Sequence, residues 1–584
     1  MSLFNLKNVR NHPRRSAFDL SSKIAFTAKA GELLPIKWCF TMPGDKFSLK
    51  HQHFTRTQPV NTSAYTRIRE YYDWFWVPLS LLWRDAPEVI QQIQSNVQHA
   101  SSFTNPVELG NGLPSLSLGD ISGALSAIDS QSPATNYFGF SRADLAYKLL
   151  QYLRFGNCNS SSKRNYGTVL DSGVDYSQDY SFNVRLSIFP LLAYKKFCQD
   201  YFRYTQWQDS APYLWNVDYL TGQATTNISI PSPSSSYWTG NTMFDLEYAN
   251  WNKDLLLGIL PDAQYGDTAL VNIGLGSTGY DATVATGFAP STASSDLGAV
   301  WSGNNSKNSL NTIPAGTHLA LDVLALRRGE ALQRWKEISL NTSQNYRSQI
   351  KAHFGVDVGE AFSHMSTYIG GSASNLDISE VVNNNITETN EANIAGKGVG
   401  SSQSSERFVA KDWGVLMCIY HAVPLLDYVL SAPDPQLLAV TNTDFPVPEL
   451  DSIGLQSAPL INYTNSPVEL SGTGWDYSAS VKTVGYLPRY YAWKTSLDYV
   501  LGAFTTTEKE WVAPISTAIW RNMLKTFTPN SVGPVYNFFK VNPAVLNSIF
   551  KVDCDGTWDT DQLLINSMLD VRVVRNLDYS GMPY

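Results

Sequence analysis

A mainly β, antiparallel fold carrying helical and loop insertions is what this 584-residue chain predicts, and three observations predict it. Short runs rich in Val, Ile, Tyr, Phe, Trp and Thr recur towards both ends of the chain, the residue types that fit a pleated, half-buried surface. Gly, Pro, Asn and Asp separate these runs and supply turns. Aromatic residues make up 12% of the chain and charged residues only 16%, ample material for a core and for broad buried contacts, and too apolar for disorder.

Residues 33–40, 46–56, 66–77, 409–421 and 481–493 are the clearest strand candidates. Within 69–77 the aromatics are nearly continuous, so one wet face and one dry face fail, and burial on both faces is expected. The first helix is expected at about 85–98, with Pro87 suited to its first turn. A second starts at Ser141, where Asp144 makes a capping-box-like beginning, and stops at Gly156. Others are expected at 190–204, 319–338 and 343–354, the last ended by Gly355. Segments 221–316 and 370–406 are rich in Ser, Thr, Asn and Gly without sustained periodicity and read as long surface loops.

Charge is unevenly placed. The chain carries a net −8, and residues 204–326 hold ten acidic residues against Lys253 and Lys307. Residues 1–18, by contrast, contain Lys7, Arg10, Arg14 and Arg15 and no Glu, with Asp19 the first carboxylate. An acid-free terminal arm points to phosphate binding. Arg327, Arg328, Arg334, Arg347 and Lys351, with Lys336, outnumber Glu330 and Glu337 in the predicted helical pair, and are read either as further phosphate contacts or as a solvated helix face. Five well-separated cysteines suggest free thiols in a reducing compartment. The best apolar run, 415–430, is broken by His421, Pro424 and Asp427, so no membrane span is expected.

Chemistry-bearing patterns are sparse. Residues 274–279 satisfy GxGxxG, yet the following stretch ends in Pro290 and looks like loop where a dinucleotide site needs a helix. Gly396, Gly398 and Gly400 flank Lys397 without the Ser or Thr of a phosphate loop and read as a hinge. His51 and His53, two apart on a strand, point to one face; without a third ligand they are expected as half-exposed histidines, not a metal site. HExxH and GxSxG are absent, and paired carboxylates such as Glu70 with Asp73 or Asp434 with Asp444 carry no assigned acid and base roles. The chain is therefore read as no enzyme and as needing no cofactor. Tyr71, Tyr72, Trp74, Phe75 and Trp76 suggest core packing over base stacking, while Trp238, Trp251 and Trp301 are expected at the surface of the acidic insertion.

An ordered series of segments resembles one family. NHPRRSAFDLS (11–21), the turn Pro43, Gly44 and Asp45, the aromatic run 54–83, RRGEALQRWKEISLNTSQNYRSQIKAHFGV (327–356), YIGG with ISEVV (368–382), GYLPRYYAWKTSLDYVLGAF (485–504) and SGMPY (580–584) are similar to the major capsid protein of small icosahedral single-stranded DNA bacteriophages, the microvirus family. Nothing between 207 and 316 adds to this. The resemblance implies a viral jelly roll, an antiparallel eight-stranded β-sandwich with large loop and helical insertions. It also implies self-assembly into a T=1 icosahedral shell around circular single-stranded DNA, with a scaffold protein, a pilot protein and a small basic DNA-binding protein as partners. The expected division is an interior basic arm at 1–30, a first part of the core at 31–205, an acidic surface insertion at 206–316 and the rest of the core at 317–584. Lys7, Arg10, Arg14 and Arg15 are the expected DNA contacts. Location in the virion after assembly in the bacterial cytoplasm follows from the resemblance, as does a host surface receptor. The competing reading is a carbohydrate-binding β-sandwich or glycosidase-like protein, motivated by sixteen Trp and thirty-one Tyr. Free cysteines and the lack of an export signal weigh against it.

Overall fold

The computed structural model describes residues 15–61, 64–65, 67–91, 113–130, 134–156, 184–220, 242–269, 274–276, 318–320, 323–381, 395–429, 432–463, 468–470, 474–476, 483–515 and 538–579. Nine strands build its centre: β1 (Ser16–Asp19), β2 (Ser22–Ala28), β3 (Leu34–Thr41), β4 (Lys46–Thr57), β5 (Ile68–Pro78), β6 (Thr367–Val381), β7 (Ala395–Val409), β8 (Gly414–Pro424) and β9 (Leu563–Arg575). β1 and β2 both pair with β9, and the order continues β9-β4-β7, all antiparallel. A second antiparallel set runs β6-β5-β8-β3. Only the ends of β6 and β7 join the two, from Asp377 paired with Val399 to Val381 paired with Ala395. Counting β1 and β2 as one edge, this is two four-stranded sheets face to face, the eight-stranded jelly-roll sandwich.

Insertions enter at two places, 79–366 between β5 and β6 and 425–562 between β8 and β9. The first supplies helices α1 (Ala86–Gln91), α2 (Leu118–Ser130), α3 (Arg142–Tyr152), α4 (Phe189–Tyr201), α5 (Val323–Asn341) and α6 (Tyr346–Phe354). Local chemistry sets several of their ends. Ser141 Oγ accepts from the Asp144 amide at 3.4 Å before α3, and Asn345 Oδ1 accepts from the Ser348 amide at 2.8 Å before α6. Gly355 ends α6 at φ +71, a left-handed conformation that a side chain would strain. α2 went unrecognised in the sequence, and α1 is described only to Gln91.

Among the described residues, the insertions cover one sheet and leave the other bare. β8 is buried along its whole length, and Trp74, Phe75, Trp76 and Val77 of β5 are each at most 9% exposed, so the expected two-sided burial is found. Tyr72 points between the sheets, whereas Phe75 points outward onto Phe197 and Tyr201 of α4, with ring centroids 5.3 and 5.0 Å away. In β4 the burial alternates strictly, and the even-numbered side chains from Lys46 to Arg56 face outward, all exposed but half-buried Ser48.

Several expectations are corrected. The Ser- and Gly-rich run 370–406 is not one loop: it takes in most of the 15-residue strands β6 and β7, so the glycines at 396–400 lie in a ladder and form no hinge. The run 409–421 is split by a turn between Val409 and Gly414. At 481–493 only Thr483–Pro488 is strand, after which Tyr490 adopts φ +57 and a 3-10 turn follows. Residues 242–260 of the acidic insertion are no surface excursion: Phe244, Tyr248 and Ile259 are fully buried and Trp251 is 5% exposed. This segment enters the core through single bridges, Glu32 with Tyr248 and Leu260 with Tyr486, so it lacks the periodicity of a paired strand. Trp238 and Trp301 lie outside the described residues.

Candidate nucleic-acid interface and interior network

Between the sheets lies a polar layer. His51 and His53 of β4 stack on Tyr72 of β5 at 4.8 and 4.5 Å, and both histidines are buried, at 1% and 5% exposure, not half-exposed as expected. His51 Nε2 lies 2.6 Å from Ser372 Oγ and Nδ1 lies 3.0 Å from Ser404 Oγ, while His53 Nε2 meets Ser374 Oγ at 3.1 Å. Thr55 and Tyr420 hydroxyls donate to Glu70 Oε1 at 2.7 and 2.8 Å. The serines of β6 and β7 are thus hydrogen-bond partners for buried side chains, and Gly400 leaves room for Glu70, whose Oε2 would lie 2.6 Å from any Cβ there. Burial, with the neighbouring His53, pushes the His51 pKa down to about 4. The layer therefore holds His51 neutral. Among the described residues no group of three His, Cys, Asp or Glu is arranged to hold a metal.

A buried ion network ties insertion to sandwich. Lys148 of α3 contacts Glu32 at 2.6 Å and Asp561 at 2.9 Å, and Lys29 contacts Asp561 at 2.8 Å, with all four side chains at most 2% exposed. Two cations answer two carboxylates, and Asp561 is held below the usual carboxylate range by Lys148 and Lys29 despite its burial. Such an arrangement fixes geometry more than it adds stability.

The bare sheet presents the cations. Outward along β4, β7, β9 and β2 stand Lys23, Lys46, Lys50, Arg56, Arg407 and Arg572, against the carboxylates of Asp19 and Asp570. Register places Ser48 between Arg407 on one side and Arg572 on the other, so two guanidinium side chains flank one strand. Arg572 also reaches Asp570 at 3.0 Å. Lys23, Lys46, Lys50 and Arg407 have no ion-pair partner among the described residues. Phe54, at 39% exposure, sits among them with Arg56 over its ring at 5.2 Å. A cationic sheet face with an exposed ring has the make-up of a single-strand binding platform.

Of the expected DNA contacts, Lys7, Arg10 and Arg14 lie outside the described residues. Arg15 is described and exposed: its Nε donates to Asn576 Oδ1 at 2.8 Å, beside the Gly44 turn. The described chain therefore begins at the edge of the bare sheet near Lys46. In the helical pair, Arg347 is engaged by Asp357 at 2.7 Å and Glu360 at 3.1 Å, and Lys336 donates to the Asp267 carbonyl. Arg327, Arg328, Arg334 and Lys351 are exposed. The outward cations of β4, β7 and β9 were missed because β7 and β9 were not recognised as strands; alternation in 563–575 was the available signal. Gly274–Gly276, the start of the GxGxxG match, pairs with His318–Ala320 as a short ladder.

Cys39, Cys198, Cys418 and Cys554 are free thiols, and Cys158 lies outside the described residues. No helix among the described residues is long and apolar enough to cross a membrane.

Jelly-roll sandwiches with two Greek keys serve viral shells and lectins alike, and comparison with known proteins shows which of these the chain is similar to. Residues 7–128 match the family described as capsid protein (F protein). Over 418 residues the chain is 24% identical to capsid protein VP1 of Chlamydia phage 1, an alignment covering 64% of this chain and 65% of that relative. The chain thus spans just under two thirds of the relative it matches. Both similarities are to phage capsid proteins, as the sequence resemblance indicated, and neither supports the carbohydrate-binding alternative.

Proposed function

We propose that this chain is a major capsid protein that assembles into a T=1 shell around a circular single-stranded DNA genome. The observation that carries the reading is the asymmetry of the sandwich: its own insertions bury one sheet, while the other stays bare and cationic. The similarity to phage capsid proteins supports the same role. On this reading the bare sheet faces the genome, with Lys46, Lys50 and Arg407 meeting phosphates and Phe54 meeting a base. Lys7, Arg10, Arg14 and Arg15 extend the same contact from the arm. The work is assembly and requires no catalytic step. A scaffold, a pilot protein and a small basic DNA-binding protein complete the particle, which forms in the host cytoplasm.

Sedimentation and negative-stain microscopy of the full chain, expressed with a scaffold, test the role. Uniform isometric shells are expected; a discrete low-mass species overturns it. For the DNA face, Lys46→Glu with Lys50→Glu and Arg407→Glu is expected to lower single-stranded DNA affinity at least about tenfold and to flatten its salt dependence, by roughly 0.7 in log–log slope for each phosphate that is no longer neutralised. Unchanged affinity and slope would remove the sheet from the contact.

A further inference from the structure

Two surface features of opposite charge keep large apolar side chains exposed among the described residues. The first is the N-terminal part of α5, where Leu324, Leu326, Leu332 and Trp335 are 46–51% exposed. Arg327, Arg328 and Arg334 stand exposed among them. The second is the loop 434–453, which contains Asp434, Asp444, Glu449 and Asp451 and no Lys or Arg. It exposes Leu437 at 72%, Val440 at 83%, Phe445 at 54% and Ile453 at 61%.

This loop is shaped before any partner arrives. Asp434 Oδ1 accepts from the Gln436 amide at 2.8 Å, Thr441 and Asp444 form a reciprocal capping box, and the Phe445 ring leans on Trp493 at 5.8 Å. Its apolar side chains are thus held outward on ordered backbone, which lowers the entropic cost of docking. Scattered exposed leucines need no explanation, but four large apolar side chains exposed on one short loop and four on one helix mark an interaction surface. The end of the loop approaches the C-terminal part of α5 on the same copy: a Cβ on Gly454 would lie 3.8 Å from Glu337 Oε1.

We propose that α5 of one copy receives the 434–453 loop of a second copy, reciprocally about a two-fold axis. Two complementary patches carried by one chain are each met by their counterpart when two copies face each other about a two-fold axis, so a single rotation pairs both. Apolar side chains bury against apolar side chains, and the arginines meet Glu449, Asp451 being already paired with Lys494 at 2.6 Å and Asp444 held in its capping box. Nucleic acid fits the helix less well, because a polyanion lying there would meet the neighbouring acidic loop. The inference deepens the shell reading and rests on it, by naming one contact between subunits.

The test uses two full-length variants with reversed charge, both verified to melt as the wild type does. The helix variant carries Arg327→Glu, Arg328→Glu and Arg334→Glu; the loop variant carries Glu449→Arg and Ser452→Arg. Self-association is followed by analytical ultracentrifugation over a concentration series. Each variant alone is expected to weaken pairing at least about tenfold, and their equimolar mixture to recover to within about threefold, because both contacts of the mixed pair are again complementary. A mixture as weak as its components overturns the proposal. So does recovery only when all changes share one chain, which would mark a contact within a copy, or loss of single-stranded DNA binding by the helix variant with self-association intact. Normal shells from both variants leave the capsid reading standing and remove this contact; a wild-type chain that never self-associates removes both.

Discussion

Replacing Lys148 with Met should expose what the buried ion network contributes. Lys148 is 2% exposed and contacts Glu32 at 2.6 Å and Asp561 at 2.9 Å. Met keeps most of the side-chain volume, so the change is mainly one of charge. After substitution Lys29 alone faces two carboxylates, and Glu32 Oε1 already lacks a partner. An uncompensated charge at such a site costs about 3–5 kcal/mol. Spread over a cooperative unit of this size, at roughly 2 cal/mol/K per residue, that lowers the melting temperature by about 2.5–4 °C. The pH dependence is diagnostic. In the wild type the depressed Asp561 contributes stability above its unfolded value near 3.8, and loses it only as pH falls through the lower folded value. In the variant the orphaned carboxyl is raised instead, so it takes up a proton in the folded state as pH falls. The melting deficit should be largest near pH 8 and narrow towards pH 5, and Glu32→Gln added to Lys148→Met should recover part of it at pH 8. Differential scanning calorimetry from pH 5 to 8 measures all of this. An equal deficit at every pH, or none, would rule this account out.

Two further outcomes follow from the interior. Burial lowers His51 to about 4 and His421 to about 3 from an ordinary 6.5, so the unfolded chain binds more protons than the folded one below that value. Stability should fall as pH drops from 6.5 towards 4. Asp73, pushed up to about 6 by burial, acts in the opposite sense between 3.8 and 6 and softens the loss. His421→Phe should make the acid limb shallower by about 1.4 kcal/mol per pH unit, read from melting curves; an unchanged slope would show that His421 does not titrate on unfolding. Gly31→Ala should destabilise by at least about 2 kcal/mol, since φ is +83 and a Cβ would lie 2.6 Å from Val541 Cβ. Wild-type melting of that variant would contradict the close approach of the two loops.

How much could be read in advance depended on whether a residue's conformation answers to its neighbours in sequence. Strands β3, β4 and β5 were legible because their own alternating or continuous apolar residues state their burial. The ends of α3 and α6 were legible because Ser141 and Gly355 act within one turn of backbone. β6 and β7 were not, since Ser372, Ser374 and Ser404 are strand residues only by virtue of His51 and His53 across the sandwich.

The genome-facing candidate shows the same division. An acid-free arm can be seen in a string of letters, because charge density is a local property. The cationic sheet cannot, because Lys50, Arg407 and Arg572 come from strands hundreds of residues apart and become neighbours only through register. The β character, the helix ends, the arm and the family resemblance were all written in local runs of residues. Which sheet is bare, which histidines and lysines are buried, and that α5 lies beside an acidic loop emerged only on folding, since each depends on long-range pairing that no local pattern encodes.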